Sequence, residues 1–391
     1  MTTPPSLRTS TSPTLLPNLY LFPIAHSARM HSAVAHGETS YHLGTHERSL
    51  TITTAMQMRV VTQLAQGRDP LHDIAAQDVE AVGECIDQLA SANLLMQRAP
   101  SLQIPVRYMD RSNENDASIS HLRDRALPEI VESSWRDGGT HGDGDALMKR
   151  QNSPITLMGH SRTLVLLHSI LLSSGASNIR LVADGHLIDS SDIAISDIRM
   201  NDIGTSLVAH CDAKRREISL FPTAREKERT AVSHAGLVIF DRTVDPAMLA
   251  DSMTSGRPHL FIGQPCGDEM QIGPLVIAGK TPCLRCWHLY EKDRWGYSMS
   301  ERISLTDSSS VELPIHIAHV VAGVVASAVL TFIDSLSLAT SSERAHLLVS
   351  LPLVGEVLFM RYSHLTHPQE IDFGFHPLCG CQTLMQSLKQ R

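Results

Sequence analysis

Four cysteines stand in two close pairs, Cys283 and Cys286 as C-x-x-C, Cys379 and Cys381 as C-x-C. Pairs at these spacings suit one tetrahedral zinc ion, each pair presenting two sulfurs at about 2.3 Å. Such an ion would tie the C-terminal segment to the middle of the chain and contribute folding energy directly. A redox C-x-x-C at a helix start, a disulfide or uninvolved thiols are the alternatives; the second pair favours a structural metal on a tight knuckle. Cys85, Cys211 and Cys266 are isolated and read as small buried apolar residues rather than nucleophiles. His288 and His376 flank the pairs and read as surface residues, with a role beside the metal as the alternative.

The second stretch with chemical potential is Gly159-His160-Ser161-Arg162-Thr163-Leu164, after the apolar run Ile155 to Met158. A dinucleotide or ATP loop needs glycines there, so that backbone amides reach phosphate at a helix N-terminus. Only the first glycine of G-x-G-x-x-G is present, with Ser161 and Leu164 in the other two places. Asp184 stands where an acidic residue would hold a ribose. Gly159, Arg162 and Asp184 therefore read as a vestigial nucleotide site, and ATP is not expected as a cofactor. The histidines are scattered, and no Ser-His-Asp or Cys-His arrangement can be read from them.

These residues need elements to position them. From Pro154 onward buried strands at Ile155 to Met158, Ile179 to Ala183, Leu237 to Phe240 and His259 to Ile262 alternate with helices at Thr163 to Ser173 and Asp245 to Ser255, which predicts a parallel, Rossmann-like sheet. Ile315 to Ile333 is 19 residues long and mostly apolar, yet it stands alone without basic flanks and is expected as a buried core helix, not a membrane span.

Residues 18 to 98 read as a smaller α+β module. Strands are expected at Asn18 to Ile24, Ser40 to Leu43 and Leu50 to Thr53. A helix capped by Thr54, a short helical turn at Leu71 to Ala75, a second helix capped by Asp78 and a closing strand at Leu94 to Met96 follow. That order predicts a winged helix-turn-helix. Asp73, Asp78, Glu80, Glu84 and Asp87 make its later helices acidic, which disfavours phosphate contacts and hence nucleic acid. Such a module can accept a peptide as an added strand beside its wing; a ligand-free docking module is the alternative. Tyr41, Leu43, Val79, Val82 and Ile86 are the candidate lining or supporting residues of that groove. Residues 1 to 17 are Ser/Thr/Pro-rich and are expected to be a disordered tail rather than a signal peptide, and residues 99 to 152 a linker with helix near Ser118 to Ser133.

The chain has 391 residues, a net charge of −8 and seven cysteines, with a pI near 6.2. Its length suits two or three domains, its acidity restricts any nucleic-acid groove to a local patch, and its cysteine usage suits a reducing cytoplasm.

Ile272 to Arg294, IGPLVIAGKTPCLRCWHLYEKDR, together with His376, Pro377, Cys379, Gly380 and Cys381, resembles the ThiF-like partner proteins of azol(in)e-forming peptide-modification clusters. The resemblance covers the chain from about residue 18 and is strongest from Gly236 to Cys381. It implies an N-terminal precursor-recognition module that binds the leader of a ribosomally made peptide. It also implies a ubiquitin-activating-type adenylyltransferase fold with a four-cysteine zinc site carried onto Cys283, Cys286, Cys379 and Cys381. The implied partner is a YcaO-type, ATP-dependent cyclodehydratase that makes thiazoline or oxazoline rings. Two departures, the glycine loop and the missing Asn-x-x-Arg-Gln run after Asp184, speak for a non-catalytic subunit. The alternative is an active adenylyltransferase with Arg162, Asp184 and Asp241 near the phosphates; a homodimer is compatible with either.

Overall fold

The computed structural model describes residues 14–15, 19, 21–23, 40–72, 74–96, 124–132, 145–193, 195, 197–219, 236–242, 244–298, 312–335 and 351–382. The rest of the expected tail, including 1–13, most of the linker at 99–123 and 133–144, and the remainder of the expected strand Asn18 to Ile24 lie outside the described residues. Two compact units divide between Leu147 and Met148.

In the first unit, strands β1 (Thr14–Leu15), β2 (Leu21–Pro23), β3 (Tyr41–Gly44) and β4 (Ser49–Ile52) precede helices α1 (Ala55–Ala65) and α2 (Val79–Ser91), followed by β5 (Leu95–Met96) and α3 over 124–132. Thr54 starts α1 through a reciprocal capping box, its hydroxyl accepting from the Gln57 amide while Gln57 Oε1 accepts from the Thr54 N–H. Asp78 precedes α2 without a side-chain cap, so that expectation fails. Val60, Val61 and Leu64 of α1 meet Val82, Cys85 and Leu89 of α2 over Leu43 and Ile52, giving the unit its own core.

Two strand expectations change. Residues 14–15, assigned to the tail, pair antiparallel with β5. The presumed wing, Ser40 to Leu43, is the middle strand of the antiparallel meander β2-β3-β4, so both of its edges are already paired.

The second unit carries α4 (Asp145–Asn152, which begins in the first), β6 (Ile155–Met158), α5 (Arg162–Ser173), β7 (Ile179–Val182), α6 (Leu207–Ile218), β8 (Leu237–Asp241), α7 (Pro246–Thr254), β9 (His259–Ile262), β10 (Glu269–Val276), α8 (Leu284–Trp295), α9 (Ile315–Ser335), β11 (Glu356–Arg361) and β12 (Gln369–Asp372). Its seven-stranded sheet runs β12-β11-β10-β9-β8-β6-β7. The β7-β6-β8-β9 half is parallel and the β10-β11-β12 half antiparallel. Every residue of β8 is buried, as a strand covered on both faces requires. β10 bulges between Ile272 and Leu275; Gly273 sits there at φ 96°, where an added Cβ would meet the Glu356 carbonyl at 3.1 Å.

The apolar helix α9 is a core element: Ile317, Val321, Val325, Val329 and Phe332 join the cluster that contains Leu164, Leu167 and Leu171 of α5. Its far end is fixed by a buried fork. Arg150 donates to both Asp334 oxygens, at 3.0 and 2.7 Å, and to the Ser174 carbonyl at 3.1 Å.

Candidate functional site

The chain leaves β6 for β7 on one side and returns to β8 on the other, so a crevice opens at the C-terminal ends of β6 and β8. Ligands bind at such switch points in open α/β sheets. Here the crevice is lined by the chain's own polar groups. Ser161 caps α5, accepting the Leu164 N–H at 3.3 Å. The Ser161 N–H donates to Asp241 Oδ2 at 3.3 Å, and the Arg162 N–H to Glu312 Oε2 at 3.1 Å. Arg242 donates to the same Glu312 oxygen at 2.7 Å.

The amides that a phosphate would use thus serve two carboxylates. Gly159, at φ 132°, is explained by close approach to Asp241, whose Oδ2 would lie 3.0 Å from an added Cβ. Leu164 is fully buried in the core, where a glycine would have let helix and strand approach. Burial pushes the Asp241 carboxyl up to about 6, against the nearby Arg242 charge and the Ser161 hydrogen bond. Asp241 Oδ1 is buried without a hydrogen-bond partner among the described residues.

Arg162 is engaged by carbonyl groups of the chain itself. Its guanidinium donates to the carbonyls of Ser191, at 3.0 Å, and Leu313, at 3.4 Å. Asp184 is exposed at the turn after β7, at φ 35°, and shares no hydrogen bond with Gly159 or Arg162. The three expected nucleotide residues are therefore held apart in role. Asp241, named only for the enzyme alternative, and Glu312, with no local signal at all, are the residues that meet at the helix terminus.

The four cysteines do converge. Cys283 is the N-cap of α8 and Cys286 lies in its first turn, so the pair sits at a helix start after a strand rather than on a free knuckle. Cys379 and Cys381 approach after β12. Sγ separations are 3.9 Å for Cys283–Cys286 and 3.5 Å for both Cys283–Cys379 and Cys286–Cys381. A tetrahedral ion with bonds of about 2.3 Å has sulfur–sulfur edges of about 3.8 Å, so the four sulfurs fit a metal of that kind; the helix start alone would also suit a redox pair, and it is the approach of the second pair to 3.5 Å that favours the metal. All four thiols are buried and no disulfide joins them.

Burial pushes the Cys283 thiol up to about 12 and raises Cys381 as well. It also acts upward on Cys286, but N–H groups, His376 first, hold that thiol below its ordinary value. The His376 amide lies 3.5 Å from Cys286 Sγ, while its ring pairs with Asp293 at 2.8 Å and accepts the Leu378 N–H. His376 thus supports the cluster without being one of its ligands. Trp287 is wholly buried in the same cluster as the thiols, with Phe373 and Tyr290 ring centroids at 5.3 and 5.6 Å from its own. Of the isolated cysteines, Cys85 and Cys211 are buried as expected, whereas Cys266 is exposed in the turn before β10.

In the first unit Leu43 and Val82 are fully buried core residues, which leaves them the supporting and not the lining role. Tyr41 and Ile86 are half-buried against that core. Val79, 45% exposed, is the most open of the five.

Sheet order, crevice and cysteine cluster together define an α/β protein with a mixed seven-stranded sheet and a four-cysteine site able to hold a metal. Solved structures of similar fold include E. coli MccB with MccA-N7isoASN, at 12% identity and TM-score 0.62. The microcin C7 biosynthetic enzyme MccB in complex with N-formylated MccA (13%, 0.61) and E. coli MccB with ATP (13%, 0.60) are further examples. In each case 95% of this chain and 99% of the other are covered. No protein-family model and no curated protein matches the chain.

Proposed function

We propose that this chain is a non-catalytic, zinc-stabilised cytoplasmic protein that binds the leader of a ribosomally made precursor peptide and presents it to a YcaO-type cyclodehydratase. The observation that carries the non-catalytic part is the pair of carboxylates at the start of α5. Phosphate would have to displace Glu312 from the Arg162 amide and Arg242. It would also meet the buried Asp241 beside the same turn.

The fold shared with MccB, which has been solved with MccA, supports a peptide as ligand. The winged-helix character of the first unit is part of this reading. Since β3 is paired on both sides, an added peptide strand would use the outer edge of the meander, at β4 or β2. Val79, at the start of α2, would supply an apolar contact, with Tyr41 and Ile86 behind it.

The test is leader-peptide binding by the full chain, read by fluorescence anisotropy with a precursor encoded beside a YcaO-type protein. Val79→Asp should weaken binding about tenfold with the melting temperature unchanged. Affinity equal to wild type in Val79→Asp and in a chain lacking residues 1 to 98 would rule out this placement.

The second reading is an active adenylyltransferase, favoured by the fold shared with a MccB structure that holds ATP. Substrate-dependent pyrophosphate exchange by the purified chain would establish it; no exchange, with leader binding intact, supports the partner role.

A further inference from the structure

We infer that the loop after β7 carries a second metal site, separate from the cysteines, in which His186, Asp189 and Asp192 take a divalent transition ion of the Zn2+ or Mn2+ class. The three residues recur every third position in His186-Leu-Ile-Asp189-Ser-Ser-Asp192. The fold curls this run so that one donor atom from each lies within 4.8 Å of the others. His186 Nε2 and Asp192 Oδ2 are 3.2 Å apart. This contact is a hydrogen bond, and Asp192 Oδ2 also accepts the Asp189 N–H at 3.0 Å, so an ion would replace the proton shared by His186 and Asp192 at a separation close to the roughly 3.0 to 3.4 Å of adjacent ligands with bonds of about 2.1 Å.

A separate element brings a further imidazole. His160, from the turn between β6 and α5, stacks on His186 with ring centroids 4.3 Å apart and planes 16° from parallel. No hydrogen bond to a described residue occupies its ring nitrogens. The stack orients the His186 ring without adding a ligand, and one imidazole with two carboxylates suits borderline transition ions, whereas calcium and magnesium favour all-oxygen sites.

Backbone hydrogen bonds brace the loop that carries the three donors. Leu187 bridges Ser206, the Ile188 amide donates to Thr205 and the Gly204 amide to Ile188, at 2.9 and 2.8 Å. Arg162 holds the Ser191 carbonyl between the two aspartates. Little chain entropy remains to be lost when a metal arrives. Three protein donors leave coordination positions for water or for an oxygen of a bound molecule. The site lies past the C-terminal end of β7, the side of a parallel sheet on which ligands bind. This inference does not depend on the leader-binding reading.

The experiment is a Zn2+ titration of the full chain with its cysteine site already filled, read as metal per chain. A parallel Co2+ titration separates nitrogen–oxygen ligand-field bands from thiolate charge-transfer bands. Wild type should take up a second ion with nitrogen–oxygen bands. His186→Ala and the exposed Asp189→Asn should weaken that ion at least about tenfold, with the thiolate bands and the metal-free melting temperature unchanged. Absence of a second ion in wild type, or its retention at equal affinity in both variants, would overturn the inference.

Discussion

Glu312 and Arg242 form an ion pair of 2.7 Å across the mouth of the crevice, and the same Glu312 oxygen accepts the first free amide of α5 at 3.1 Å. Both partners are largely shielded, at 15% and 13% exposure, so this contact is a fixed part of the crevice rather than a surface ion pair. A carboxylate at a helix N-terminus satisfies an orphan N–H and meets the positive end of the dipole.

Removing that carboxylate frees a cation and an amide together. Glu312→Ala should lower stability by about 2 kcal/mol, as expected when a shielded charge loses its partner. Added sulfate should offset part of the loss in the variant and have a smaller effect in wild type, since it can occupy the vacated place. Thermal unfolding with and without sulfate checks this; an equal sulfate response in both proteins would show that the place does not take anions.

The cysteine cluster should behave as one unit. Cys286→Ser should lose bound metal and lower the melting temperature of the second unit, because an ion held by three sulfurs no longer joins α8 firmly to the segment after β12. Burial raises Cys283 and Cys381, so metal must displace protons to bind, and metal affinity should fall as pH falls. Metal content after dialysis at several pH values reads this directly.

Asp241 gives a pH signature of the opposite kind. Its folded pKa, about 6, is above the unfolded value, so the stability it contributes is present below about pH 4 and lost as pH rises through 6. Asp241→Asn keeps an acceptor for the Ser161 amide. It should be more stable than wild type by up to about 3 kcal/mol at pH 8, with the gap closing near pH 4.

His168 sets the acid limit. It is buried in α5 and desolvation pushes it down to about 4, so the fold holds it neutral. Stability is full above its unfolded pKa of about 6.5 and falls as pH drops toward 4. Denaturant midpoints for wild type and His168→Gln should diverge across that window, with the variant the less pH-dependent.

The Arg150–Asp334 fork links the ends of α4 and α9 in a dry setting, at 0% and 2% side-chain exposure. Asp334→Ala should destabilise by about 3 to 5 kcal/mol because it strands a buried guanidinium. Urea midpoints measure it, and a loss under 1 kcal/mol would show that the arginine finds another partner.

Local pattern carried much of this protein. The cysteine spacings, the strand–helix alternation from Pro154, the Thr54 cap and the degenerate glycine loop follow from neighbouring residues and from short-range stereochemistry, which a linear chain displays. The burial of α9 followed from its isolation and composition. What tertiary structure alone decided depends on groups far apart in sequence. Glu312 reaches α5 across 150 residues, and Asp241 reaches Ser161 across 80. Strand order put β3 in the middle of its meander, and packing of α1 and α2 over it buried Leu43 and Val82; sequence did not show this, because an apolar residue on a short strand or helix looks alike whether it faces the core or a groove. Which carboxylates fill a helix terminus is set by the packing of separate segments, and no spacing rule within one segment contains it.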